Sequence, residues 1–77
     1  MSPDNNWVQQ QAKARAREAV LQAVSDFLDE NGFSPLVSEL AARTGISRAS
    51  VQRHIDALLA EGRLTKHGRG RTLRLAD

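Results

Sequence analysis

The sequence contains no cysteine and no long apolar run, and these two absences exclude several classes of protein. Without cysteine there can be no disulfide, no thiolate zinc site and no thiol nucleophile. No segment approaches the roughly 18 apolar residues that span a bilayer, and the N-terminus MSPDNNWVQQQ lacks the apolar centre of a signal peptide. We therefore expect a soluble, cytoplasmic protein.

The chain is also short for an enzyme, because 77 residues bury only a small core. Its two histidines, His54 and His67, have no cysteine partner and no carboxylates spaced for metal binding or general-base catalysis. Ser47 and Ser50 have no setting typical of a nucleophile. We expect a single domain over residues 1–77 that is not an enzyme, with no catalytic residue, metal ligand or cofactor.

Charge is unevenly distributed along the chain, although the net charge is only +2. Residues 1–42 hold three basic and six acidic side chains, a balance of −3, whereas residues 43–77 hold eight basic and three acidic ones, a balance of +5. Such polarity indicates a basic surface suited to a polyanion.

The first half of the sequence predicts one long helix and one short helix. Asn6 and Gln9 form a plausible N-terminal cap pair, nothing interrupts a helix from Trp7 to Asn31, and Asn31-Gly32 is a stop signal. Residues 1–19 form a polar, alanine-rich extension, and the apolar face begins after it, at Val20, Val24, Phe27 and Leu28. Pro35 then imposes a short extended link. The segment LVSELAART follows as a second helix, with Leu36 or Val37, Leu40 and Ala41 directed inward.

The second half predicts a helix-turn-helix and a hairpin. Gly45 ends the second helix, and Ser47 is suited to cap a third helix from Arg48 to about Glu61, with Gly62 at its end. Leu73, Arg74 and Leu75 alternate like a half-buried strand, and Leu64 anchors its partner. The expected fold is mainly α, in the α+β class, with a three-helix core at 20–62 and a C-terminal β-hairpin at 63–75.

The third helix has distinct inner and outer sides. At 100° per residue, Val51, Ile55 and Leu58 lie within about 60° of one another and define the buried side. The outward side suits a DNA major groove, because small side chains permit close approach, Arg53 can donate two bonds to guanine, and Gln52 can pair with adenine. Arg48 near the free amides of the first turn suits a phosphate. The candidate DNA contacts in this helix are Ser47, Arg48, Ala49, Ser50, Gln52, Arg53 and His54.

The hairpin tip is a second candidate contact with DNA. Lys66, His67, Arg69 and Arg71 cluster around two glycines, which let cationic groups approach the backbone or a minor groove. The same glycines could instead serve only the turn, and the same arginines only solubility.

Residues 20–75 resemble the winged helix-turn-helix domain of bacterial and phage transcriptional regulators, including MarR-like and LexA-like domains. The likeness lies in SELAARTGISRASVQRHIDALLAEGRL, with Leu40, Gly45, Ile46, Val51 and Leu64 among the matching core and turn positions. The resemblance implies a recognition helix from Arg48 to Glu61 and a wing from Arg63 to Leu75. It implies double-stranded DNA as the partner and a small sequence-specific regulator, most simply a repressor.

Two other roles remain open: an architectural or recombination-directionality protein that bends DNA, and a winged helix that binds protein or RNA. The branch that binds left-handed DNA or double-stranded RNA is matched weakly, since the hairpin lacks its prolines and aromatic residue and the third helix lacks tyrosine. The start of the first helix could pair two copies of the chain, with Trp7 and Val8 as candidate dimer contacts, or Trp7 could fold back onto its own domain.

Overall fold

A computed structural model of the chain describes residues 3–67 and 73–76, with side chains described from residue 11 onward. It contains three helices, α1 (Pro3–Asn31), α2 (Val37–Thr44) and α3 (Arg48–Ala60), and two strands, β1 (Leu64–Lys66) and β2 (Leu73–Leu75). The strands pair in antiparallel register, with Leu64 opposite Leu75 and Lys66 opposite Leu73. The predicted three-helix fold with a C-terminal hairpin is confirmed.

Helix α1 begins earlier than its sequence predicted. Asn6 lies inside the helix, so its assignment as the N-terminal cap is wrong, whereas the predicted end at Asn31 is correct. The physical reason is that proline is tolerated in the first turn, where its missing N–H has no intrahelical acceptor to bond. At about 1.5 Å per residue, the 29-residue helix is about 43 Å long, close to the 47 Å long axis of the molecule.

The turn between α2 and α3 is built as the sequence indicated. Gly45 has φ 74°, a left-handed conformation that favours glycine, and its N–H donates to Ala41 O at 2.9 Å. The Ser47 hydroxyl accepts a hydrogen bond from Ser50 N at 3.2 Å and so caps α3. At the start of α2, Leu36 is the cap residue and is 41% exposed, whereas Val37 is half-buried and packs against the core. Of the two alternatives, Val37 is therefore the inward residue.

The core lies where the three helices and the hairpin meet. Helix α1 packs on α2, α3 and β2, while α3 also packs on α2 and β1. The predicted apolar stripes of α1 and α3 are both buried, except that Leu28 is half-buried against the cluster. The buried cluster comprises Val20, Ala23, Val24, Leu40, Val51, Ile55, Leu58, Leu64 and Leu73.

A buried serine ties the wing to the link between α1 and α2. Ser34 is fully buried, and its hydroxyl accepts a hydrogen bond from Leu73 N at 2.9 Å while donating to Pro35 O at 3.3 Å. A buried backbone N–H left without an acceptor would be costly, so this contact helps to fix strand β2 against the helical core. The sequence marked Ser34 only as part of an extended link.

Two bidentate ion pairs join α1 to the later elements. Arg43 of α2 binds Glu30, with Nη2 to Oε1 at 2.6 Å, and its guanidinium lies 5.4 Å from the centre of the Phe27 ring. Arg63, before β1, binds Glu18 through both of its terminal nitrogens. These hydrogen bonds lower the pKa values of the Glu30 and Glu18 carboxyls. The charges of Arg43 and Arg63 are therefore neutralised locally. The basic surface does not include all the basic residues of 43–77, contrary to what the charge count had indicated.

Candidate nucleic-acid interface

Helix α3 presents a continuous exposed strip on the side opposite its buried residues. Ala49, Gln52, Arg53 and Asp56 are all exposed, and we call them the outer strip. Their exposure follows from helical periodicity, since Val51, Ile55 and Leu58 fix the opposite side in the core. The predicted outward orientation of Gln52 and Arg53 is confirmed: neither is packed beneath α1 or the hairpin.

Hydrogen bonds hold the side chains of the outer strip along the helix surface. Gln52 Nε2 donates to Asp56 Oδ1 at 2.9 Å, and Arg53 Nη2 donates to Ser50 Oγ at 3.4 Å. Both are exposed contacts one turn apart, so each can be exchanged for a contact with a ligand at little cost. Arg48 is also exposed, near the first turn of the helix, where backbone amides have no intrahelical acceptor.

Asp56 is the strip residue that the sequence did not select as a candidate contact. A carboxylate beside nucleic acid repels phosphates, but it can accept a hydrogen bond from the N4 amino group of cytosine. It can therefore discriminate between bases while weakening non-specific attraction. Its position one turn after Gln52 on the predicted outer side is the signal that could have identified it.

Strand β1 of the wing lies against one flank of α3. Gln52 and Lys66 line a groove of about 120 Å³ together with Leu36 of the α2 cap and Leu73 of β2. The structure thus brings a predicted recognition-helix residue and a predicted wing residue to one surface. His67 is exposed immediately after β1. Arg69 and Arg71 lie outside the described residues, so their predicted contacts stay predictions.

The other flank of α3 lies against α1 and forms a cleft of about 270 Å³. Its lining is Lys13 and Arg17 from α1 with Ser50, Arg53 and His54 from α3, and we call it the basic cleft. The sequence predicts Ser50, Arg53 and His54 at the DNA surface but predicts no contact for Lys13 or Arg17. Helical spacing could have identified both residues. Positions 13, 17, 20 and 24 lie on one side of a helix, so Lys13 and Arg17 extend the face on which Val20 and Val24 are buried.

The basic cleft affects the proton affinity of His54, which is half-buried between the two helices. Its pKa is lowered, first by desolvation and then by the positive charges of Arg17 and Arg53. The folded protein therefore binds a proton at His54 less readily than the unfolded chain does. Neutral His54 contributes stability above its ordinary pKa of 6.5, and this contribution is lost as the pH falls through the lowered value.

The lowered pKa of His54 predicts how the substitution His54→Gln changes the dependence of folding stability on pH. Urea unfolding measured between about pH 7.5 and pH 5.5 should show a smaller loss of stability on acidification in His54→Gln than in the wild type. His67→Gln is the matched control, because His67 is exposed and does not line the cleft, and it should keep the wild-type pH dependence. An equal pH dependence of the unfolding free energy in the wild type and in His54→Gln would contradict the lowered pKa of His54.

Metal ligation and membrane insertion find no support in the described residues. Across residues 11–67 and 73–76, whose side chains the structure describes, no three His, Cys, Asp or Glu side chains are grouped as metal ligands. In the same ranges, none of the helices combines the length and apolar character needed to cross a bilayer. The two histidines lie on different elements, one in α3 and one after β1.

Comparison with known proteins agrees with this geometry. Residues 37–65 match a family model described as winged helix-turn-helix DNA-binding. That segment holds α2, the turn, α3 and the start of β1, and so includes the whole outer strip. The match does not separate MarR-like from LexA-like domains. No curated protein matches the chain.

Proposed function

We propose that this chain, which contains a winged helix-turn-helix DNA-binding domain, reads a specific sequence in double-stranded DNA and acts as a small transcriptional regulator. The observation that carries the proposal is the outer strip of α3, in which the side chains of Gln52 and Arg53 are exposed to solvent. A helix with its side chains is about 10–12 Å across and fits a major groove about 12 Å wide.

Three side chains of the outer strip each have a matching base edge. Arg53 can donate two hydrogen bonds to O6 and N7 of guanine, and Gln52 can bind N6 and N7 of adenine once it releases Asp56. Asp56 can then accept from cytosine. Ala49 leaves room for close approach near the start of α3, and Arg48 is suited to a phosphate.

The wing supplies backbone contacts in this proposal. Lys66, at the end of β1, lies on the flank of α3 that holds Gln52, and the exposed His67 follows it. With Arg69 and Arg71 of the tip, they would contact phosphates or the minor groove next to the base-reading helix. Such contacts add affinity without reading sequence, so specificity rests on α3.

Repression is the simplest regulatory outcome, because a protein that occupies a promoter excludes polymerase without needing an effector or an enzymatic activity. We also propose that two copies pair through the start of α1, near Trp7 and Val8, and bind two half-sites. Trp7 and Val8 lie outside the residues whose side chains are described, and residues 11–15, which follow them in α1, are exposed and accessible to a second copy.

Selection from a random duplex pool at near-physiological salt tests the proposal. We expect a defined motif that contains guanine and adenine, and an inverted repeat if the protein binds as a dimer. A parallel selection with Gln52 and Arg53 both replaced by alanine is the control, because it keeps the wing and should lose the motif.

Other outcomes of the selection would favour the remaining roles. Enrichment of flexible base steps without a motif, together with DNA bending, would indicate an architectural protein. Weak binding with no sequence preference even at low salt would contradict a DNA-reading function and favour a protein- or RNA-binding module.

A further inference from the structure

The basic cleft between α1 and α3 concentrates positive charge beside the outer strip. Lys13, Arg17 and Arg53 all line it, His54 and Ser50 complete it, and its lining includes no carboxylate residue. Like charges gathered in a cleft repel one another, so the arrangement is stabilised when an anion enters.

The cations of the cleft are less neutralised than the other arginines that contact α1. Arg43 and Arg63 each bind a glutamate through two nitrogens. Arg17 binds Glu61 through Nη1 at 2.7 Å, while its buried Nε has no hydrogen-bond partner within the described residues. Arg53 donates to the neutral Ser50 hydroxyl. Lys13 and Arg53 have no carboxylate partner within the described residues, and Arg17 keeps one unsatisfied donor; together these features indicate an anionic ligand.

The position of the cleft identifies the anion. When α3 occupies a major groove through its outer strip, its two flanks face the two phosphate backbones that border the groove. Lys66 of the wing lies on the flank of α3 that holds Gln52. The basic cleft lies on the other flank, which holds Ser50 and His54. The cleft therefore faces the backbone opposite the wing.

We propose that the basic cleft binds a backbone phosphate of the DNA duplex, so that Lys13 and Arg17 of α1 form a second backbone contact on the side of α3 away from the wing. This inference rests on the proposed function. It assigns a role to residues 11–19 of α1, none of which belongs to the buried core. Arg53 borders both the strip and the cleft and would link base reading to phosphate binding.

Lys13→Ala tests the proposal without threatening the fold, because Lys13 is exposed and alanine favours helix. Loss of one phosphate contact should reduce the slope of log affinity against log salt by about 0.9. Between 50 and 200 mM salt, the wild type should therefore lose about 3-fold more affinity than the variant. Arg15→Ala is the matched control, since it removes the same charge from an exposed residue of α1 that does not line the cleft.

Replacing single phosphates of the duplex with uncharged methylphosphonates shows which phosphate Lys13 contacts. In a duplex scanned with single methylphosphonates, one substitution should weaken the wild type but have a smaller effect on Lys13→Ala, whereas Arg15→Ala should respond as the wild type does. Additive effects at every phosphate, or equal salt slopes for Lys13→Ala and wild type, would overturn the proposal. Additive effects, combined with direct binding of millimolar inorganic phosphate that Lys13→Ala weakens, would also overturn it and would assign the cleft to a small anion.

The result is separable from that of the sequence-specificity test. Coupling between Lys13 and one phosphate on a duplex bound without sequence preference would support the cleft contact and contradict specific reading. A clear sequence motif without coupling between Lys13 and any phosphate would support specific reading and contradict the cleft contact. Failure of the wild type to bind any duplex would overturn both.

Discussion

Replacing Arg53 with alanine is expected to remove about 1–3 kcal/mol of preference for one base pair while leaving binding to unrelated DNA in place. The reason is geometric: Arg53 is the exposed arginine of the outer strip, and its fork-shaped donor group can match O6 and N7 of guanine. Competition between the selected duplex and single-base variants measures the loss, which should appear at one position of the site.

Arg53→Lys is the matched control for this experiment. Lysine keeps the positive charge and can still contact a phosphate from the edge of the basic cleft, but it cannot reproduce the planar fork of arginine. The lysine variant should therefore lose base preference with little change in salt dependence. Uniform weakening of Arg53→Ala on all sequences, with Arg53→Lys binding like the wild type, would show that Arg53 contacts only the backbone.

Replacing Leu40 with alanine should have the largest effect on stability. Leu40 is fully buried in the cluster where α2 meets α1 and α3. Truncation of such a leucine costs about 2–5 kcal/mol, through lost burial and the cavity that remains. Because a chain of this size has only about 3–5 kcal/mol of net stability, Leu40→Ala should lose most of it, which circular dichroism should detect as a much lower urea midpoint at 25 °C.

Leu36→Ala is the matched control, at the cap of the same helix. Leu36 is 41% exposed, so its truncation should change the free energy of unfolding by less than about 1 kcal/mol. Similar urea midpoints for the two variants would contradict the packing of α2 described here.

Local signals in the sequence predicted much of the fold. Gly45 and Ser47 mark the turn through the conformation of one and the capping hydroxyl of the other, and both effects act over only a few residues. Periodicity placed Val51 and Leu58 inward and therefore Arg53 outward. The predicted start of α1 after a cap at Asn6 is wrong, because Pro3 is tolerated in the first turn and the helix begins there.

Contacts between distant residues could not be predicted in this way. Arg63 and Glu18 are 45 positions apart, and nothing local indicates that they pair. Counting charges by sequence halves therefore assigned Arg43 and Arg63 to the basic surface, whereas the structure neutralises both with glutamates of α1. Ser34 is a similar case, because its role depends on Leu73 being adjacent in space.

The sequence by itself determined the three helices, the turn, the hairpin and the outward side of α3, because each depends on conformational preference or periodicity within one segment. Only the tertiary structure decided which cations remain available to an anion, and it placed Lys13 and Arg17 beside Arg53. The physical reason is that packing of α1 on α3 brings together charges from distant parts of the chain, and electrostatic interactions depend on distance in space rather than along the sequence.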